Sequence, residues 1–139
     1  MVSIEKNIRV LVVEDDRDTS FTISKLLIRS FSTEVDCAMD IATARELLGS
    51  TGYDIVTLDY QLPDGDGISL LEEIRKQGIH IRTIVITGHG DERVAARAFQ
   101  AGAMGYVVKD TGMATKLRDV FREALADIDL EQAETSPGD

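Results

Sequence analysis

The sequence predicts an α/β domain: a doubly wound, five-stranded parallel sheet with helices on both faces. Three observations carry this expectation. Five short apolar runs recur, at residues 8–13 (IRVLVV), 33–38 (TEVDCA), 55–58 (IVTL), 81–86 (IRTIVI) and 105–108 (GYVV). All but the second are nearly continuous in apolar residues, the pattern of strands covered on both faces. Helical periodicity fills each gap, so strands begin every 21 to 27 residues, the repeat of a βα unit. Right-handed crossovers then place helices on both sides of the sheet.

Each element has its own signal. After the first strand, residues 19–31 set Ile23, Leu26, Leu27 and Phe31 on one helical face. Asp16 and Asp18 precede or open that helix and suit N-caps or surface acids. TEVDCA alternates, which predicts an edge strand with Cys37 as buried filler. Asp40 suits the N-cap of a helix whose stripe is Ile41, Ala44, Leu47 and Leu48, with Gly49 as its stop. The third strand leads into the loop QLPDGDG, where Asp64 and Asp66 are turn acids. Ile68, Leu71 and Ile74 follow, up to Gly78. Val94, Ala95, Ala98 and Phe99 follow the fourth strand, up to Gly102. Met113, Leu117, Val120, Phe121, Ala124 and Leu125 form the last stripe.

Bulk properties bound the class. The chain has 139 residues, 43% hydrophobic and 29% charged, which suits one soluble domain with a real core. No apolar stretch approaches the roughly 20 residues of a membrane span, and MVSIEKNIRV has no signal-peptide core. Cys37 is a single cysteine and cannot form an internal disulfide. A reduced, cytoplasmic setting is expected. A net charge of −10 argues against direct contact with nucleic acid. Five acids and no Lys or Arg lie between 127 and 139. Residues 128–139 therefore read as an acidic tail or the start of a linker after a domain at 6–127.

In open α/β sheets, sites form beyond the carboxyl ends of the strands. Glu14, Asp15 and Asp16 follow the first strand and Asp59 the third. Thr87 and Gly88-His89-Gly90 follow the fourth, and Lys109 follows the fifth. Crowded carboxylates need a counter-charge. A hard divalent cation with oxygen ligands supplies one, and Lys109 supplies another. Thr87 adds a hydrogen-bond donor. Such groups around Asp59 are what a phosphoryl group needs, with Asp59 as a nucleophile forming an aspartyl-phosphate.

LVVEDD, VTLDYQLPDGDG, IVITG and GYVVK, in this order, resemble the receiver domain of two-component response regulators. The resemblance spans roughly residues 6–127 and implies a flavodoxin-like (βα)5 fold. It implies that Asp59 accepts a phosphoryl group from a histidine kinase or a histidine phosphotransfer protein. Mg2+ (or Mn2+) would be held by Glu14, Asp15, Asp59 and the backbone carbonyl of Gln61. Thr87 and Lys109 would contact the phosphoryl oxygens, and Tyr106 would be the aromatic switch. Gln61 and His89 occupy positions that tune dephosphorylation. Pro63 and Gly67 match the family's loop. The output would be a change in the face built by residues 91–102, 105–108 and 112–126, controlling a partner, a tethered effector domain or a homodimer. No direct nucleic-acid or membrane contact is expected, nor enzymatic turnover beyond self-phosphorylation and dephosphorylation. Asp110 departs from the pattern, because the family usually follows this lysine with proline.

Three other classes compete. A phosphorylation-independent, degenerate receiver would keep the fold and use Asp110 as its departure. A haloacid-dehalogenase-like phosphotransferase also uses an aspartate after a strand, but wants an acid two positions on, where Gln61 stands. A flavodoxin-like binding module would cradle phosphate in the loop after the first strand, which here is the acidic EDDRD.

Overall fold

The structure, a computed structural model, describes residues 7–88 and 90–135. Strands β1 (Arg9–Val13), β2 (Glu34–Ala38), β3 (Ile55–Asp59), β4 (Arg82–Thr87) and β5 (Gly105–Val108) alternate with helices α1 (Arg17–Phe31), α2 (Ile41–Ser50), α3 (Gly67–Lys76), α4 (Glu92–Gln100) and α5 (Met113–Thr135). A two-rung antiparallel hairpin, Gln61–Leu62 with Gly65–Asp66, follows β3. The five main strands form one sheet in the order β2-β1-β3-β4-β5, and every pairing is parallel.

Period-two alternation divides each strand between two cores. Val10, Val12, Ile55, Ile84, Ile86 and Val107 meet Ile23 and Leu27 of α1 and Leu117, Phe121 and Ala124 of α5. Leu11, Val13, Val56, Leu58 and Val85 face Ile41 and Ala44 of α2, Ile68, Leu71 and Ile74 of α3, and Ala98 of α4. The Phe31 and Phe121 rings meet at 4.7 Å between centroids, tying α1 to α5. The expected doubly wound architecture is therefore present.

The caps follow the residue types. Asp16 accepts the Thr19 amide at 2.9 Å, Asp40 that of Thr43 at 2.7 Å, and Asp66 that of Ser69 at 2.7 Å, so each satisfies an orphan amide of a first turn. Ser32 ends α1 in the left-handed conformation at φ 55°.

Four details differ from expectation. β5 is the second edge of the sheet, and its residues alternate between buried and half-buried. Cys37 is exposed on edge strand β2, and its sulfur lies 3.3 Å from the Ser24 hydroxyl of α1. Gly49 does not stop α2, which runs through Ser50. Helix α5 continues past 127 to Thr135, because Ile128 is 4% exposed and extends the buried stripe of Leu117, Phe121 and Ala124. The expected 127/128 boundary thus falls inside a helix. Residues 1–6 and 136–139 lie outside the described residues, so the ends of the expected domain and tail do too. Among the described residues no helix is long and apolar enough to cross a membrane.

Candidate functional site: an acidic pocket at the sheet edge

The strand order puts β3 at the centre, with β1 on one side and β4 then β5 on the other. Asp59 is the last residue of β3, Thr87 the last of β4, and Glu14 and Lys109 directly follow β1 and β5. Parallel strands bring all four to one edge. The backbone seals the arrangement there: the Lys109 amide donates to the Thr87 carbonyl at 2.8 Å and the Glu14 amide to that of Ala38 at 2.9 Å.

Lys109 Nζ lies 3.0 Å from Asp59 Oδ2 and 2.7 Å from Glu14 Oε1. Glu14 is 2% exposed and Asp59 6%, so the ammonium balances two carboxylates that water barely reaches. Glu14 Oε2 accepts the Asp16 amide at 3.1 Å. Burial raises the Glu14 pKa above its ordinary value, outweighing the Lys109 and Asp16 hydrogen bonds, and repulsion from Asp59 adds to the rise. For Lys109 burial acts downward, but hydrogen bonds and charge from Glu14 and Asp59 win and raise its pKa. The lysine is thereby held charged.

Asp15 is exposed, and carboxylate oxygens of Glu14, Asp15 and Asp59 all lie within 4.8 Å of one another. Three carboxylates against one ammonium leave the site negative, and every donor is a hard oxygen. That set fits a hard divalent cation. Beside it opens a pocket of about 360 Å³, lined by Asp15, Asp59, Gln61, Leu62, Pro63, Thr87, Gly88 and Lys109.

The sequence matches the family model described as "Response regulator receiver domain" over residues 10–122. The chain belongs to this family. The chemotaxis protein CheY of Treponema pallidum is 34% identical over 103 residues, covering 73% of this chain and 72% of that protein. Nodulation protein W of Bradyrhizobium diazoefficiens is 38% identical over 103 residues, 72% of this chain and 44% of its own length. The methanogenesis regulatory protein FilR1 of Methanothrix harundinacea is 36% identical over 120 residues, 84% of this chain but 27% of that protein. The chain thus spans less than half the length of the last two relatives. Among solved structures, the signal receiver domain of a putative Luxo repressor protein from Vibrio parahaemolyticus superposes with a TM-score of 0.86 at 23% identity, covering 94% of this chain and 99% of that one; it shows the fold.

Receiver domains are signalling domains of two-component systems, and they bind Mg2+ at an acidic pocket such as this one. Of the candidate residues in this receiver domain, Glu14, Asp15, Asp59, Gln61, Thr87 and Lys109 gather at the pocket. Tyr106 stands apart from it, half-buried on edge strand β5, with its phenol oxygen accepting the Asp91 amide at the start of α4 at 3.3 Å. His89 lies outside the described residues. The Asp110 Oδ1 accepts the Gly112 amide at 2.9 Å, so it caps the approach to α5. The described backbone contains no cis peptide bond.

Three residues do more than the sequence reading assigns them. A Cβ on Gly67 would stand 2.1 Å from the Asp59 carbonyl oxygen, so the receiver loop needs glycine for close approach. Asp64, expected as a turn acid, spans 22 to 23 residues to accept the amides of Ile41 and Ala42 at 2.8 and 3.0 Å. Arg97 of α4 reaches the start of α3, with Nη2 at 3.0 Å from Ser69 Oγ and Nη1 at 3.5 Å from Asp66 Oδ2. Asp66, expected as a turn acid, is also the N-cap of α3. The two longer contacts depend on which helices become neighbours.

Proposed function

We propose that this receiver domain is a phosphorylation-dependent switch whose phosphoacceptor is Asp59. The observation that carries the reading is the Lys109 ammonium 3.0 Å from Asp59, beside a three-carboxylate cluster and an open pocket. A carboxylate oxygen of Asp59 attacks the phosphorus of a phosphohistidine. The P–O bond forms as the P–N bond breaks, and the imidazole leaves with its electron pair and takes up a proton. Lys109 holds one phosphoryl oxygen by charge, and the Thr87 hydroxyl donates to another. Glu14, Asp15, Asp59 and the Gln61 carbonyl would hold Mg2+ or Mn2+, which when bound neutralises the charge on the phosphoryl oxygens.

The added charge then draws Thr87 toward the phosphoryl group, and Tyr106 turns into the space released. To do so it gives up the Asp91 amide, freeing the start of α4. The α4-β5-α5 face changes, and with it the affinity for a partner, a tethered effector domain or a second copy. The donor is a histidine kinase or a histidine phosphotransfer protein. Gln61 and His89 tune how long the acyl phosphate lasts.

Intact-protein mass spectrometry after incubation with acetyl phosphate and Mg2+ tests the reading. One Mg2+-dependent phosphoryl adduct is expected in the wild type and none in Asp59→Asn. A folded wild type that takes no adduct would leave the chain a phosphorylation-independent module.

A further inference from the structure

The hairpin after β3 is too short to hold itself. It has two rungs, Gln61 opposite Asp66 and Leu62 opposite Gly65, and an isolated ribbon of that length is not stable in water. Yet it supplies three of the residues lining the pocket, Gln61, Leu62 and Pro63, and Gln61 offers the backbone carbonyl proposed for the cation. Something must fix it. Its base is tied by the Gly67 amide to the Tyr60 carbonyl at 2.7 Å. Its far strand is held by Asp66, which caps α3 at Ser69, and its tip is tied by Asp64, through both carboxylate oxygens, to the Ile41 and Ala42 amides.

That grip is a strong one. Both bonds are charge-assisted and sit at the positive end of the α2 dipole. Chiefly the Ile41 amide holds the Asp64 carboxyl below its ordinary pKa. The apolar side of the tip fits the same place: Ile41 is 7% exposed, Leu62 is 9% exposed, and a Cβ on Gly65 would meet Ile41 Cδ1 at 2.9 Å. Helix α2 already has its own cap in Asp40, which serves Thr43. Asp64 takes two first-turn amides that Asp40 leaves open, so the same two bonds serve the helix start and the hairpin tip.

We infer that Asp64 is a positioning residue for the phosphoacceptor site: by clamping the hairpin tip to the start of α2, it sets the Gln61 carbonyl against the Glu14–Asp15–Asp59 cluster. Both Asp64 oxygens are engaged with amides, so it acts on geometry and is not itself a ligand. The inference rests on the receiver reading of that cluster.

Calorimetric titration with Mg2+ alone, without any phosphodonor, tests it on the wild type, Asp64→Ala, Asp64→Asn and Asp59→Asn. Asp64→Ala removes both acceptors, and its Mg2+ dissociation constant is expected to rise about tenfold, within the range for residues that orient metal ligands. Asp64→Asn keeps one acceptor oxygen with the same loss of charge, and should fall between Ala and the wild type. Equal weakening in Ala and Asn would mean that only long-range charge matters, and would overturn the clamp. So would an unchanged constant in Asp64→Ala. If Asp59→Asn binds Mg2+ as well as the wild type does, the cluster is not the cation site, and the receiver reading falls together with the inference. Thermal melts of the same proteins separate the two roles: a merely structural Asp64 lowers the melting temperature and leaves the constant alone.

Discussion

Replacing Gly67 by alanine would put a methyl group where the backbone of Asp59 already is. The added carbon would stand 2.1 Å from the Asp59 carbonyl oxygen and 2.9 Å from Leu58 Cγ, whereas real contacts essentially never fall under 3.0 Å. The gap must open by about 0.9 Å, the difference between 2.1 and 3.0 Å. Leu58 could turn aside, but the Asp59 carbonyl is less free, since Asp59 is paired with Ile86 of β4 and the residues just before it are paired on both sides. The displacement therefore falls on the end of β3 and the start of α3. Overpacking of this kind costs about 2–3 kcal/mol. For a domain of this size the melting temperature should drop by about 6–10 °C. The moved peptide carries Asp59, the proposed phosphoacceptor, and a misplacement approaching 1 Å costs about a hundredfold in rate. Circular-dichroism melts and phosphorylation rates with acetyl phosphate measure both effects. A Gly67→Ala protein that melts within a degree of the wild type and is phosphorylated within twofold would refute the steric reasoning.

Three further outcomes are expected. Thr57 is 1% exposed at the centre of β3, and its hydroxyl has no partner among the described residues; Thr57→Val should raise unfolding stability in urea by about 1 kcal/mol, and a loss would show that the hydroxyl is satisfied after all. Tyr53 donates to Asp36 Oδ2 at 2.6 Å, and burial, reinforced by Asp36, pushes its pKa up to about 12. The neutral phenol is the stabilising form, so its contribution is whole below about pH 10, the unfolded value, and is lost as pH rises toward 12. The stability gap between wild type and Tyr53→Phe should hold steady up to about pH 10 and then close, and a gap that stays constant through pH 11.5 contradicts the linkage. Arg75 donates to the carbonyls of Ile79, Ile81 and Gly102 at 2.9 to 3.0 Å; Arg75→Met strips all three and should cost about 2 kcal/mol, with amide exchange rising first in the two loops it joins.

What the sequence disclosed follows from locality. IRVLVV and IRTIVI declare buried strands by themselves, and the acids, hydroxyl and lysine beyond the strand ends converge because parallel strands all point one way. GYVV looks as buried as the others, yet it lies at the sheet's edge; strand order is a property of the whole topology. Cys37 shares a face with the half-buried Val35, yet on an edge strand that face is not covered at Cys37. The acids from Asp127 onward look like a tail, but charge does not end a helix while Ile128 still has a core to enter. Arg82 shows the same: it pairs with Asp127 at 2.8 Å and Glu131 at 2.6 Å, so the last acid of the expected domain and one acid of the expected tail are both anchored to β4. The Asp64, Arg75 and Arg97 contacts join segments that only the finished fold brings together.

The sheet order also sets when the site comes into being. Lys109 lies 50 residues beyond Asp59 and arrives on the last strand to join the sheet edge. In a chain made from its N-terminus, the carboxylates of Glu14 and Asp59 emerge long before the Lys109 ammonium that balances them. Until β5 docks they are better left in water than enclosed. Closing the second edge of the sheet and neutralising the acids are thus a single event. A half-folded chain therefore lacks the balanced pocket around Asp59, the proposed phosphoacceptor, until its last strand is in place.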